Sequence, residues 1–154
     1  MFNGIIFNKG TVIKIEKRKK GINLFLRSNI KLSNKDIGLS ICCDGVCLTL
    51  ISYNKKIIEF YLSNETLKKS KFKNIRLNDK INLELPLKFG QSISGHICQG
   101  HVDTVCKIKR IKRIDKSLVF EFKIAKNFKK LLVEKASILI NGVSLTISKI
   151  KNES

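Results

Sequence analysis

A chain that spells one short pattern twice has few architectures open to it. Asp44-Gly45-Val46-Cys47-Leu48-Thr49-Leu50 returns as Asn141-Gly142-Val143-Ser144-Leu145-Thr146-Ile147, an offset of 97 residues between Asp44 and Asn141. The preceding Leu39-Ser40-Ile41 is answered at the same offset by Ala136-Ser137-Ile138. Gly4-Ile5-Ile6 is answered by Gly100-His101-Val102 at an offset of 96. Separated blocks repeating at nearly one spacing identify a tandem duplication, so the fold must be built from two like units.

Each copy of the longer block has a readable local physics. Asp-Gly and Asn-Gly are favoured centres of two-residue hairpin turns, because Gly accepts positive φ and Asp or Asn tolerates it. The flanks are apolar or β-branched, so the block predicts a hairpin whose outgoing strand alternates between two faces. Cys47 and Thr49 share one face, and Ser144 and Thr146 share the matching face of the second copy. Taken alone, that pattern also fits a half-buried strand whose small polar residues merely suit the packing.

At 154 residues the chain has room for one ordinary domain or two small ones, and the repeat selects two. No apolar run approaches the length of a membrane span, and Met1-Phe2-Asn3-Gly4 does not open a secretory signal. Five cysteines (Cys42, Cys43, Cys47, Cys98 and Cys106), an odd number, read as reduced thiols of a cytoplasmic protein. The net charge of +19 raises nucleic-acid binding as a function class. Against it, arginine, the residue of bidentate phosphate contacts, occurs only at Arg18, Arg27, Arg76, Arg110 and Arg113. The lysines are scattered through a chain also rich in Ile and Asn, as an AT-rich coding bias produces. No nucleic-acid partner and no membrane partner are expected.

The first copy reads as six short strands and one short helix. Thr11 to Glu16 and Ile22 to Arg27 are strands about a tip at Lys17-Arg18-Lys19-Lys20, and Ile30 to Asp36 is a loop or single helical turn. The Asp44-Gly45 hairpin follows, then a strand over Lys56 to Leu62, a short helix over Glu65 to Lys69 capped by Asn64, and a period-two strand from Ile81 to Leu85. In the second copy Val105 to Ile111 and Leu118 to Ile124 repeat the first hairpin, and Asn127 to Val133 reads as a basic amphipathic helix. Ser154 corresponds by the offset to residue 57 of the first copy. The expectation is an all-β fold with short helices: two tandem six-stranded antiparallel Greek-key-like barrels over 1–94 and 95–154, the second incomplete.

These segments together resemble the riboflavin synthase family of tandem lumazine-binding barrels. The resemblance rests on Met1 to Ile6, Asp44 to Leu50, Glu65-Thr66-Leu67, Leu87-Lys88-Phe89-Gly90, Gly95 to Asp103 and Asn141 to Thr146, which span the chain in the family's order. Asn3 stands where Thr is commoner. The resemblance implies a cofactor-free dismutation of two molecules of 6,7-dimethyl-8-ribityllumazine into riboflavin and a ribitylamino-pyrimidinedione by transfer of a four-carbon unit. It also implies a homo-oligomer, a trimer in the family. A non-catalytic lumazine- or flavin-binding protein is the alternative.

Carried over by position, one pocket takes Cys47, Leu48 and Thr49 with Tyr61, Leu62, Ser63, Asn64, Glu65 and Thr66, approached by Gly100, His101, Val102 and Lys135. The other takes Gly4, Ile5 and Ile6 with Ser144, Leu145 and Thr146. His101 is the candidate for proton handling, since imidazole titrates near neutral pH. Cys47 is a possible nucleophile or anion-stabilising thiol, although Ser144 at its matching position favours hydrogen bonding. His96 reads as orienting or structural. Cys42, Cys43, Cys47, His96, Cys98 and His101 lack the paired spacing of a structural zinc site, so no metal is expected.

Overall fold

A computed structural model describes residues 1–151. Six strands, β1 (Asn8–Arg18), β2 (Gly21–Ser28), β3 (Ser40–Cys43), β4 (Val46–Asn54), β5 (Ile57–Ser63) and β6 (Lys80–Glu84), close into a barrel in the order β1-β2-β5-β4-β3-β6. Every pairing is antiparallel. Alternating apolar residues turn inward and fill the interior with Val12, Leu24, Leu26, Ile41, Leu48, Leu50, Ile58, Phe60, Leu62, Ile81 and Leu83. The helix α1 (Asn64–Lys69) and a 3₁₀ turn (Lys71–Asn74) bridge β5 to β6, and Phe72 joins the core.

The second copy repeats two of the first copy's pairings, β1–β2 and β3–β4. Strands β7 (Lys107–Ile114) and β8 (Ser117–Lys123) form a hairpin with a register shift between Ile108 and Arg110. The β1–β2 hairpin has its shift between Val12 and Lys14, at the same offset of 96. Strands β9 (Ser137–Ile140) and β10 (Val143–Thr146) pair Ser137 with Thr146, as β3 and β4 pair Ser40 with Thr49. A repeated bulge is a repeated backbone path, so the duplication is structural as well as textual. Among the described residues the second copy remains two separate two-stranded ladders rather than a closed barrel. All of β7 is exposed, and Ile111, Phe120 and Leu145 stay in contact with solvent.

Three local expectations shift. The helix cap is Ser63, whose Oγ accepts from Thr66 N at 3.2 Å, one residue ahead of Asn64. Strand β1 is longer than Thr11 to Glu16 because both β2 and β6 hydrogen-bond to it. The helix expected over Asn127 to Val133 shrinks to α2 (Lys126–Lys129). Leu131 and Val133, which would form its apolar stripe, are exposed and find nothing to bury against, so the helix gains nothing by propagating. Among the described residues no helix is long and apolar enough to cross a membrane.

Equivalent positions therefore carry unequal energies. Leu24 is fully buried, while Phe120, its counterpart in register opposite Ile111, is 39% exposed. Leu24→Ala is expected to cost about 2–5 kcal/mol of unfolding free energy. Phe120→Ala should cost less than about 1 kcal/mol. Urea denaturation of the two variants checks the contrast.

Candidate functional site

The two repeated hairpins turn through matching backbone. Asp44 and Gly45 have φ of 46° and 89°, and Asn141 and Gly142 have 48° and 80°. Positive φ at both central residues is the geometry of the tight turn that follows strand twist. The two tips touch: a Cβ on Gly45 would lie 3.2 Å from Gly142 N, and one on Gly142 would lie 3.1 Å from Gly45 N. Asn82 ties the contact together. Its side-chain amide donates to Asn141 O at 3.0 Å, its backbone N donates to Asp44 Oδ1 at 2.9 Å, and its carbonyl accepts from Asp44 N at 3.0 Å.

The leader of each copy crosses to the hairpin of the other. Cys47 N donates to Gly100 O at 2.7 Å, and Ser144 N donates to Gly4 O at 2.8 Å. Both glycines are left-handed, with φ of 78° and 76°. An added Cβ would lie 2.7 Å from the Cβ of Cys47 in one case and of Ser144 in the other. Glycine is required twice over, by the backbone turn and by the close approach. The crossing assembles two sets of residues: Cys47, Leu48 and Thr49 beside Gly100, His101 and Val102, and Ser144, Leu145 and Thr146 beside Gly4, Ile5 and Ile6.

Within the first set, Cys47 is half-buried and Thr49 exposed, whereas Leu48 points into the barrel core. Leu62 is likewise a core residue, so Leu48 and Leu62 can offer a ligand only backbone groups. Strand pairing runs to Leu50 opposite Phe60, which makes Thr49 and Tyr61 the next positions along β4 and β5. The Tyr61 hydroxyl donates to Lys20 O at 2.7 Å, and Asn64 N donates to the same carbonyl. Ser63 and Thr66 hydroxyls lie 3.1 Å apart, and Glu65 pairs with Lys69 across one helical turn. His101 is exposed, and its imidazole makes no hydrogen bond among the described residues. Val102 packs on the barrel core. Lys135, also exposed, has φ of 69° where its counterpart Gly38 has 92°; each donates a backbone N–H to the matching carbonyl of its hairpin, Ile147 O and Leu50 O respectively.

In the second set Ser144 has a partner that Cys47 lacks: His96 Nδ1 lies 2.7 Å from Ser144 Oγ. Ile5 and Ile6 are half-buried, while Leu145 and Thr146 are exposed. Two features were illegible to residue patterning. Glu84, on an apparently outward position of a period-two strand, is buried and accepts from Asn3 N at 2.7 Å and Gly4 N at 3.0 Å. Asn3 is buried as well and accepts from Gly95 N through Oδ1 at 2.6 Å.

Electrostatics separate the cysteines. Burial pushes the Cys42 thiol up to about 12, and Cys43, inside the barrel, well above its ordinary value. Both are neutral thiols. Burial also raises the Asp44 carboxyl, against the opposing pull of Lys71 at 2.7 Å. Among the described residues no group of three or more His, Cys, Asp or Glu side chains is placed to hold a metal ion. A cavity of about 980 Å³, at the upper end of ligand-pocket sizes, lies between the copies and along the open second unit, and Gly100, His101, Val102 and Leu145 all reach it. A smaller one of about 510 Å³ is lined by Asn3, Ile5 and Glu84.

Comparison with known proteins bears on this geometry. The lumazine binding domain model matches residues 3–86 and 99–154, one match per copy. Riboflavin synthase of Chlamydia pneumoniae is 36% identical, with 99% of this chain and 75% of that protein aligned. Riboflavin synthase of Bacillus subtilis (strain 168) is 32% identical, with 96% and 68% aligned. Among solved structures, LumP complexed with riboflavin superposes with a TM-score of 0.84 at 22% identity, covering 99% of this chain and 83% of that one. At that identity the superposition speaks for the fold alone.

The raised Asp44 carboxyl sets a pH dependence. A folded-state pKa above the unfolded value, about 3.9, means the group's contribution is present at low pH and is lost as pH rises through the folded pKa. Asp44→Asn, which copies Asn141 at the matching turn, should remove that slope while keeping the hairpin. Urea denaturation between about pH 3 and pH 7 should show wild-type stability falling relative to the variant as pH rises.

Proposed function

This chain belongs to the lumazine-binding domain family, and we infer from that premise that it is a riboflavin synthase. The reaction takes two molecules of 6,7-dimethyl-8-ribityllumazine, moves a four-carbon unit from one to the other, and yields riboflavin and 5-amino-6-ribitylamino-pyrimidinedione. The observation that carries this reading is the reciprocal docking of Gly100 on Cys47 and of Gly4 on Ser144. Two copies of one substrate need two like cradles, and the duplicated barrel supplies them from units we assign to 1–94 and 95–154.

In this reading the strand backbone of each hairpin hydrogen-bonds the edge of a heterocycle, and the hydroxyls of Thr49 and Thr146 serve the ribityl chains. Orienting two heterocycles face to face converts an encounter into an intramolecular step, an effect of up to about 7–11 kcal/mol. What remains is proton movement at the acidic 7-methyl group and stabilisation of the resulting anion. His101, exposed to the cavity and with no hydrogen-bond partner among the described residues, takes that proton. Ser144, with its hydroxyl on His96, stabilises charge on the second substrate, and Cys47 does so on the first. Tyr61 to Thr66 and Lys135 complete the first pocket. No metal or redox cofactor enters the reaction.

We place the working site between chains of a homotrimer, in the cytoplasm. Large apolar side chains left at the surface, among them Phe7 and Phe89, support self-association, and the five unpaired cysteines support a reducing compartment.

Incubation of the purified protein with the lumazine should produce riboflavin and the pyrimidinedione in equal amounts. A ligand-dependent fluorescence change with no product at saturating substrate would instead make the protein a binder. His101→Gln should lower kcat about 10²-fold or more with little change in melting temperature. Equal losses of activity and thermal stability would refute the role given to His101.

A further inference from the structure

Glu84 is a buried carboxylate in a chain with 31 lysines and arginines, yet among the described residues none of them pairs with it. Its partners are backbone. Oε1 accepts from Asn3 N at 2.7 Å and from Gly4 N at 3.2 Å, and Oε2 accepts from Gly4 N at 3.0 Å. A charged acceptor held by successive N–H groups fixes the peptide between them far more firmly than a neutral contact. Glu84 sits at the end of β6, opposite Cys42 on β3, so the anchor belongs to the closed and rigid barrel.

From that anchored peptide every further contact leads to the second pocket. Gly4 O accepts from Ser144 N, and Asn3 O accepts from His96 N at 3.1 Å. Asn3 Oδ1 accepts from Gly95 N, and His96 Nδ1 meets Ser144 Oγ. Phe2 exchanges both backbone hydrogen bonds with Cys98, at 2.8 and 2.9 Å. Ser144 and His96 therefore rest on the same two residues that Glu84 grips. Among the described residues no carboxylate accepts from the N–H groups of Gln99 and Gly100, the counterparts of Asn3 and Gly4.

We propose that Glu84 is a positioning residue for the second pocket, clamping the Asn3–Gly4 peptide of the first barrel so that Ser144 and His96 are held in register. The role of that pocket in turnover rests on the function inferred above, but the clamp itself does not. It makes the closed barrel the template for a hairpin that, among the described residues, pairs into no closed barrel of its own.

The test uses the full chain with Glu84→Gln and Glu84→Ala. Glu84→Gln retains one acceptor oxygen and turns an N–H donor toward Gly4, so the two variants form a graded series if Glu84→Ala folds. Amide hydrogen exchange read residue by residue should accelerate about tenfold or more at Gly4 and Ser144 in Glu84→Gln, and further in Glu84→Ala. Leu26 and Phe60 amides in the barrel should keep their protection. Turnover of 6,7-dimethyl-8-ribityllumazine should show kcat falling about tenfold in Glu84→Gln. Unchanged exchange at Ser144, or equal acceleration at Leu26 and Phe60, would overturn the clamp. If wild-type protein makes no riboflavin, the functional reading fails, and the exchange result still decides the clamp.

Discussion

The structure depends on two backbone hydrogen bonds that cross between the copies, Cys47 N to Gly100 O and Ser144 N to Gly4 O. Each takes the leader of one repeat onto the hairpin of the other. Among the described residues the second copy is a pair of hairpins, and without such crossing contacts they would be isolated two-stranded ladders, marginal in water. With them, the hairpin carrying Ser144 leans on a closed barrel whose interior is filled by aliphatic and aromatic side chains. The contact demands glycine at both crossing points, where positive φ and a 2.7 Å approach coincide, and the sequence has glycine at both.

The crossing also makes the two pockets similar but not identical. Their cradles share a turn, a strand register and a docked leader. They differ at the position of Cys47 and Ser144, where among the described residues Ser144 alone meets a histidine, His96. A dismutation needs such a difference, because two molecules of one compound must leave as two different products. The near-dyad gives the two hairpins a matched orientation, and the Cys47/Ser144 difference breaks it.

Much of this was legible in the sequence, and the reasons are specific. The offset shared by Asp44-Gly45 and Asn141-Gly142 foretold matching hairpins because turn chemistry is local. The offset from Gly4 to Gly100 foretold equivalent leaders, though not that each would serve the opposite copy, since nothing local encodes a crossing. Glu84 escaped notice because strict alternation from Ile81 places it with Asn82 on the outer face, and the first residues of the chain then cover that face. The helix expected over Asn127 to Val133 shrinks to Lys126–Lys129 for the converse reason: its periodicity is real, but Leu131 and Val133 have no surface to meet. Among the described residues the first copy has a well-filled core and the second an open one, a difference that periodicity does not carry.

The charge of +19 finds no organising role in the fold. Lysines lie along exposed strands such as β7; of the buried carboxylates, Asp44 is held by Lys71 and the Asn82 N–H, and Glu84 by backbone N–H groups. On the function inferred above, duplication gives each chain two cavities for two like heterocycles. Calorimetric titration of the protein with riboflavin, the product that resembles both substrates, counts them. Two ligands per chain at saturation is the predicted result; a single ligand per chain would contradict it.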